Sequence, residues 1–163
     1  KNIKTDCNRF FALKEGLLLS ANDGIYIINN DEAKKISEGQ LEAIARSKAN
    51  SNIIYLGKNN GLFALNYKNG KWNELGKLEK INVQIRTIAE DNNETLWLGT
   101  DYNGVYKVNL SNGWNKLANI STYFESNRLP KNHNWIDVYN SSQGVLFSTQ
   151  KGVYRYNYKK DIF

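Results

Sequence analysis

A hairpin pattern that recurs four times limits the folds open to this chain more than any other feature. In each copy an apolar strand ends on a small residue, a polar turn follows, and then come Gly, an aliphatic residue and an aromatic residue. The glycines are Gly24, Gly61, Gly104 and Gly152, about 37, 43 and 48 residues apart. Repeats of this length are typical of propeller blades. We expect each glycine to close its turn at positive φ, where other residues are strained.

The third copy, residues 85–109, shows the pattern most clearly. Three short runs, Ile85 to Ala89, Thr95 to Gly99 and Val105 to Val108, have the alternation or the β-branched and aromatic content of strands. Two turns rich in Asp, Asn and Gly separate them, and such turns favour hairpins. The stretch is therefore predicted to be a three-stranded antiparallel meander.

A further strand is expected before each hairpin and another after it. The preceding strands are Arg9 to Leu13, Leu41 to Ala45, Ile85 to Ala89 and Trp135 to Tyr139, and Trp72 and Trp114 mark following strands. The predicted fold class is all-β: a β-propeller segment of about four blades, each a four-stranded antiparallel meander. A sandwich is less favoured because sandwiches lack such internal self-similarity.

The repeat also sets approximate blade limits, at residues 6–37, 40–78, 83–120 and 133–163. Residues 38–47 have a helix-like composition, but the repeat places a strand there. Phe163 lies as far beyond Gly152 as Trp72 lies beyond Gly61, so the outer strand of the fourth blade should only begin there. Because an incomplete ring leaves open strand edges, we expect a partial propeller that is completed by further blades of a longer chain or by a second copy of this chain.

The sequence from Ile88 to Val108 resembles the two-component regulator propeller repeat, and residues 128–130 and 145–156 are similar to other parts of that repeat. The resemblance is strongest in the third copy and weakest in the first two. It implies the sensor region of a bacterial hybrid two-component system or related regulator, facing the periplasm and often responding to carbohydrate. Any membrane anchor would be a span outside this segment.

Composition narrows the range of partners. The net charge is +6, but the lysines are scattered and form no basic stripe, so a solvated basic surface is favoured over a nucleic-acid footprint. No apolar run approaches the roughly 18 residues of a membrane span. Cys7 is alone and can form neither an internal disulfide nor a cysteine-based zinc site.

Loops at one end of the blades are the predicted ligand face. The turns between second and third strands emerge there, together with the links between blades, and loops on a rigid scaffold commonly carry function. The candidate ligand-binding residues are Arg86, Asp101, Tyr102, Asn103, Arg128, His133 and Trp135. Aromatic rings beside amide and charged groups suit an oligosaccharide ligand. A charged Arg86 near the channel would need a partner such as Asp137 or a ligand anion.

At several positions a structural role is the alternative to ligand binding. Trp97 is expected in the core between blades, Trp72 and Trp114 in packing on outer strands, and Asp91 in a turn where it bonds the backbone. His133 is the only histidine, so a surface turn is favoured over a metal site. Tyr102 replaces a small turn residue and is the first side chain to test as a ligand contact.

No catalytic, phosphate-binding or metalloprotease motif occurs in the sequence, and we expect no enzyme activity, no cofactor and no metal. Three functions remain open. The first is a sensor segment that binds a glycan and signals to a downstream domain. The second is a protein-interaction or dimerisation scaffold without a small ligand. The third is a polysaccharide-active propeller enzyme whose catalytic residues lie outside this segment.

Overall fold

Four antiparallel sheets, each with its strands in chain order, make up the computed structural model, which describes residues 3–91, 95–110, 114, 117–130 and 135–163. The first sheet contains β1 (Cys7–Leu13), β2 (Gly16–Ala21), β3 (Gly24–Asn29) and β4 (Glu32–Ser37). The second contains β5 (Leu41–Arg46), β6 (Ile53–Lys58), β7 (Gly61–Lys68) and β8 (Lys71–Lys77). The third contains β9 (Ile85–Glu90), β10 (Thr95–Thr100), β11 (Val105–Leu110) and β12 (Leu117–Tyr123). This is the all-β propeller segment that the repeat predicts.

The fourth sheet has three strands, β13 (Asp137–Ser141), β14 (Gly144–Thr149) and β15 (Gly152–Arg155). No outer strand begins after β15. Residues 157 and 162 form an isolated bridge instead, and Phe163 N donates to Asn127 O at 3.1 Å. Phe163 therefore lies back against the 3₁₀ turn Glu125–Asn127, in the link between the third and fourth sheets.

The strand at residues 41–46 is confirmed. Leu41 and Ala43 are buried while Glu42, between them, is half-buried, and this two-residue period is that of a strand. The local composition would also suit a helix. Packing between neighbouring sheets decides the outcome, because only a strand places Leu41 and Ala43 on one face.

The cores lie between neighbouring sheets. Leu18 and Ile25 of the first sheet pack with Leu56 of the second, and Trp97 of the third sheet packs with Phe147 of the fourth. A third cluster joins the second and third sheets. Each sheet thus buries its apolar surface against the next, as propeller blades do.

All four turn glycines have the expected positive φ, from 69° to 156°. The small residue near the end of the second strand has a different role. A Cβ at Gly99 would lie 2.2 Å from Ile136 O, and a Cβ at Gly57 would lie 2.8 Å from Ile85 O. Glycine is required there because the chain entering the next sheet passes directly against it.

Trp97 is fully buried, as predicted, and its Nε1 donates to Asp91 Oδ2 at 3.2 Å. The other oxygen of Asp91 accepts from Thr95 N at 3.1 Å, which confirms its bond to the turn backbone. Trp72 lies on an outer strand as expected, but Trp114 does not, because β12 begins only at Leu117. Trp114 instead lies near Tyr55, with 6.0 Å between the centroids of the two rings.

Candidate functional site

Arg86 is the centre of the polar cluster at the predicted ligand face. It lies near the start of β9, where its Nη1 is 3.1 Å from Asp101 Oδ1 and its Nε is 3.4 Å from Asp137 Oδ1. Asp101 follows β10 and Asp137 begins β13, so one guanidinium joins two sheets. The expected Arg86–Asp137 pair is therefore present.

Trp135 lies against the same guanidinium. Its ring centroid is 5.2 Å from Arg86 Cζ, within the range of a cation–π interaction. Burial alone would lower the pKa of Arg86, but the charges of Asp137 and Asp101 outweigh it and raise that pKa. The arginine is thus charged at any physiological pH, and about half of the Trp135 surface is left open to solvent.

The turn that carries Tyr102 is held by Thr100. Its Oγ1 donates to Gly104 O at 2.8 Å and accepts from Asn103 N at 3.0 Å. The bonded turn leaves the Tyr102 side chain 77% exposed. Thr149 makes the same two bonds in the fourth sheet, to Gly152 O and from Lys151 N. A threonine at the end of the second strand thus holds the turn by its own hydrogen bonds. The side chains of the turn residues that follow it can therefore vary.

An apolar cleft of about 120 Å³ adjoins this turn. Its walls are Tyr102, Gly104, Phe124, Glu125, Leu129, Pro130 and Ile136. At roughly 30 Å³ per water, it has room for about four waters. The cleft can therefore hold one edge or substituent of a ligand, while the exposed rings of Tyr102, Phe124 and Trp135 offer surfaces on which the rest could stack.

The remaining predicted residues fall in different places. Asn103 shares the Tyr102 turn. Arg128 follows the 3₁₀ turn at φ 67° and borders another cleft. The other residues that line this cleft come from the end of the chain and are Arg155, residues 156–160, Ile162 and Phe163. His133 lies outside the described residues. The structure thus brings Arg86, Asp101 and Trp135 into contact, places Tyr102 and Asn103 beside them in the chain, and puts Arg128 at a separate surface.

Sequence reasoning missed Phe124, Leu129, Pro130 and Ile136 as walls of the cleft. Leu129 and Pro130 belong to a stretch of sequence that resembles the repeat family, and Ile136 follows Trp135 directly. These were signals that the link between the third and fourth sheets contributes apolar surface. Phe124 gave no such signal, because a lone aromatic after a strand is equally typical of the core.

The equivalent turn of the second sheet is built differently, around a buried ammonium group. Lys58 stands where Thr100 stands in the third sheet and is 3% exposed. Its Nζ donates to Ser37 Oγ at 2.6 Å and lies 4.0 Å from the centroid of Phe63. Burial lowers the pKa of Lys58, although Glu74, 3.5 Å away, opposes this. This lysine joins the first and second sheets and is not available to a ligand.

Within the part of the chain that the structure describes, no three His, Cys, Asp or Glu side chains come together as metal ligands would. No helix in that part has the length and apolarity needed to cross a membrane.

Comparison with known proteins gives a match to a family model and a similarity to solved structures. The family model described as "Two component regulator propeller" matches residues 80–102, which contain Arg86, Asp91, Trp97, Gly99 and Tyr102. No curated protein sequence matches the chain.

Two solved structures have the same fold over 98% of this chain, with a TM-score of 0.72 and 20% identity. Both are of the extracellular domain of BT4673 from B. thetaiotaomicron, assigned in one to a hybrid two component system and in the other to a one component system. The present chain spans 21% of the length of either.

Proposed function

On the premise that the chain carries a two component regulator propeller repeat, we propose that it is part of the sensor module of a two-component-type regulator. In this proposal the module lies outside the cytoplasm, in the periplasm of a bacterial envelope, and is anchored by a membrane span elsewhere in the protein. The ligand is a carbohydrate that binds at the loop face, and its occupancy is passed to a downstream signalling domain. The similar solved structures are of the extracellular domain of a hybrid two component or one component system, which supports a role in signalling rather than in catalysis.

One observation supports the ligand proposal most directly: the arrangement of Arg86 and Trp135 beside the Tyr102 cleft. Exposed aromatic rings suit the apolar face of a sugar, and the carboxylates and guanidinium nearby suit its hydroxyl groups. The carboxylates of Asp101 and Asp137 hold Arg86 in place before any ligand binds. A preorganised group loses less freedom on binding, which favours affinity.

A thermal-shift screen of the protein against sugars and oligosaccharides tests this proposal. A ligand at about 100 times its Kd should add roughly 2.7 kcal/mol to the free energy of unfolding. Tyr102→Ala should weaken binding and leave the unliganded stability unchanged, because that side chain is 77% exposed. Tyr139→Ala is the matched control: Tyr139 is 53% exposed, on the fourth sheet. Equal affinity of both variants would exclude the Tyr102 cleft.

A scaffold function is the second candidate, supported by exposed apolar residues on the first and last sheets. Phe10 on β1 is 60% exposed and Val153 on β15 is 67% exposed. In the second and third sheets, apolar faces are covered by neighbouring sheets. We propose that further blades or a second copy of this chain cover these two surfaces. Sedimentation of the wild type and of the double variant Phe10→Ser/Val153→Ser tests for a second copy. If a second copy covers these surfaces, the wild type should sediment as a dimer and the double variant as a monomer.

A further inference from the structure

The cleft beside the Tyr102 turn is lined by one carboxylate and by no cation among the residues that the structure describes. The whole chain has a net charge of +6, yet the charged residue in this wall is Glu125. The other walls are aromatic, aliphatic or glycine residues. A carboxylate at an apolar cleft repels an anionic ligand and attracts a cationic one.

The carboxylate of Glu125 is not used elsewhere in the described part of the chain. The residue is exposed, and its side chain forms no hydrogen bond or ion pair with any residue that the structure describes. Arg128, three positions further on, donates its backbone N–H to Glu125 O at 3.0 Å, but it borders the other cleft and forms no ion pair with Glu125. The negative charge of Glu125 therefore faces solvent or a ligand.

Two exposed aromatic rings lie at the same cleft. Tyr102 is 77% exposed and Phe124 is 46% exposed. A Cβ at Gly104 would lie 3.0 Å from Phe124 Cδ1, so the ring of Phe124 packs directly on the turn that carries Tyr102. Glycine at this position thus allows both aromatic residues to line one cleft. The face of an aromatic ring attracts a cation that lies within about 6 Å of its centroid.

The backbone and the core hold these walls in place before a ligand binds. Asn127 Oδ1 accepts from Phe124 N at 3.1 Å, and Asn127 N donates to Phe124 O at 3.0 Å, so the 3₁₀ turn that carries Glu125 is fixed. Leu129 and Ile136 are each 2% exposed and belong to the core between the third and fourth sheets. Fixed walls lose little freedom on binding, and an apolar surface that excludes water strengthens a cation–π interaction.

We propose that the Tyr102 cleft binds a quaternary ammonium group. The inference uses the cleft of the proposed function but does not depend on a carbohydrate ligand. The volume of about 120 Å³ equals about four waters, which matches the four heavy atoms of a trimethylammonium group. Its methyl groups contact Leu129 and Ile136, while its charge faces the two rings and Glu125. A neutral group of the same shape gains the apolar contacts but not the electrostatic ones.

Two probes of equal shape provide the test. The protein is titrated with choline and with dimethylbutanol, the uncharged analogue in which carbon replaces the nitrogen, and sodium chloride keeps the ionic strength equal. The amide resonances of Gly104 and Glu125 in NMR spectra report binding at the cleft. Choline should bind about tenfold more tightly than dimethylbutanol, the equivalent of about 1.4 kcal/mol. Equal affinities, tighter binding of dimethylbutanol, or no shift with choline would overturn the proposal.

Three variants assign the preference to the cleft. Glu125→Gln and Tyr102→Leu should each weaken choline binding about threefold and leave dimethylbutanol binding unchanged. Both side chains are exposed, so the fold is kept. Glu79→Gln is the matched control, because Glu79 is exposed in the link between the second and third sheets and its loss changes the net charge equally. Equal effects of Glu125→Gln and Glu79→Gln would show that the cleft is not the site.

The outcome is distinguishable from that of the carbohydrate proposal, because neither probe is a sugar. A sugar that stabilises the protein while choline does not bind would overturn the ammonium site alone. Choline binding without a response to any sugar would overturn the carbohydrate ligand alone.

Discussion

Arg86 and Asp137 lie on the first strands of neighbouring sheets and are joined by an ion pair, with 3.4 Å between Arg86 Nε and Asp137 Oδ1. The guanidinium also bonds Asp101 in its own sheet. The pair therefore fixes the junction between the third and fourth sheets at the face where the candidate ligand would bind.

Arg86→Gln should lower the free energy of unfolding by about 1 kcal/mol, because the arginine side chain is 36% exposed and partly screened by solvent. Urea denaturation of this variant, of Asp137→Asn and of the double variant measures the coupling between the two residues. We expect the double variant to lose less than the sum of the single losses. Strictly additive losses would mean that the pair contributes nothing to the junction.

Gly99→Ala should destabilise the protein by about 1–3 kcal/mol. The added Cβ would lie 2.2 Å from Ile136 O and 2.4 Å from Thr87 Oγ1, so the fourth sheet would have to move away. Gly70→Ala is the control: no atom lies within 4 Å of the new Cβ, and only its positive φ of 75° opposes the change. Gly70→Ala should cost about 1 kcal/mol. A smaller loss for Gly99→Ala than for Gly70→Ala would contradict the close approach.

Trp97→Ala should cost about 3–5 kcal/mol, a large part of the stability of an ordinary domain. The change empties the core between the third and fourth sheets and leaves one Asp91 oxygen without the indole N–H. Trp135→Ala, at a position 47% exposed, should cost under 1 kcal/mol. Chemical denaturation compares the two variants, and similar losses would show that Trp97 is not the centre of that core.

Acid should weaken the junction between the first and second sheets through Glu15. Arg46 Nη2 lies 2.6 Å from Glu15 Oε2, and Nη1 lies 3.2 Å from Oε1. Burial alone would raise the pKa of Glu15, but the Arg46 hydrogen bond and charge lower it. The resulting stability is present above the unfolded pKa of about 4.3 and is lost as pH falls through the folded value.

Arg46→Met should therefore lower stability by about 2 kcal/mol at pH 7 and by less at low pH. Melting temperatures of both proteins from pH 7 to about 3 measure the difference. A constant difference over that range would mean that Glu15 has no part in the acid response.

Alkali should act through Tyr158. Burial and then its hydrogen bond to Asp91 raise the pKa of Tyr158 to about 12. Because the folded protein holds this proton more strongly than the unfolded chain, stability is complete below about pH 10 and falls as pH rises towards 12. Tyr158→Phe should show a shallower decline in melting temperature above pH 10 than Tyr139→Phe, the control. Identical declines would exclude Tyr158 from the alkaline response.

The repeat predicted most of the fold because its rules are local. Gly104 closes a turn at positive φ, and the two-residue period of Leu41 and Ala43 defines a strand. The predicted burial of Trp97 and the Asp91 turn bond were also confirmed. Each of these follows from a residue type and its neighbours a few positions away, which the sequence displays directly.

Features that depend on distant parts of the chain could not be predicted in the same way. Tyr158 reaches Asp91 across 67 positions, from an end segment that carries no repeat pattern. Lys58 is buried, although the polar residues that follow it in the sequence predict an exposed turn. Trp114 follows Gly104 at almost the spacing of Trp72 after Gly61, yet it precedes its strand. Only the packing of one sheet on another decides these cases.

Strand β9 carries Arg86 near one end and Glu90 at the other, about 13 Å apart at roughly 3.3 Å per residue. Glu90 Oε2 accepts from Lys48 N, in the turn after β5, at 2.6 Å, and Arg86 pairs with Asp137 of the fourth sheet. The two ends of one six-residue strand therefore hold the sheets on either side of it. A displacement of β9 at one of these junctions would displace it at the other as well.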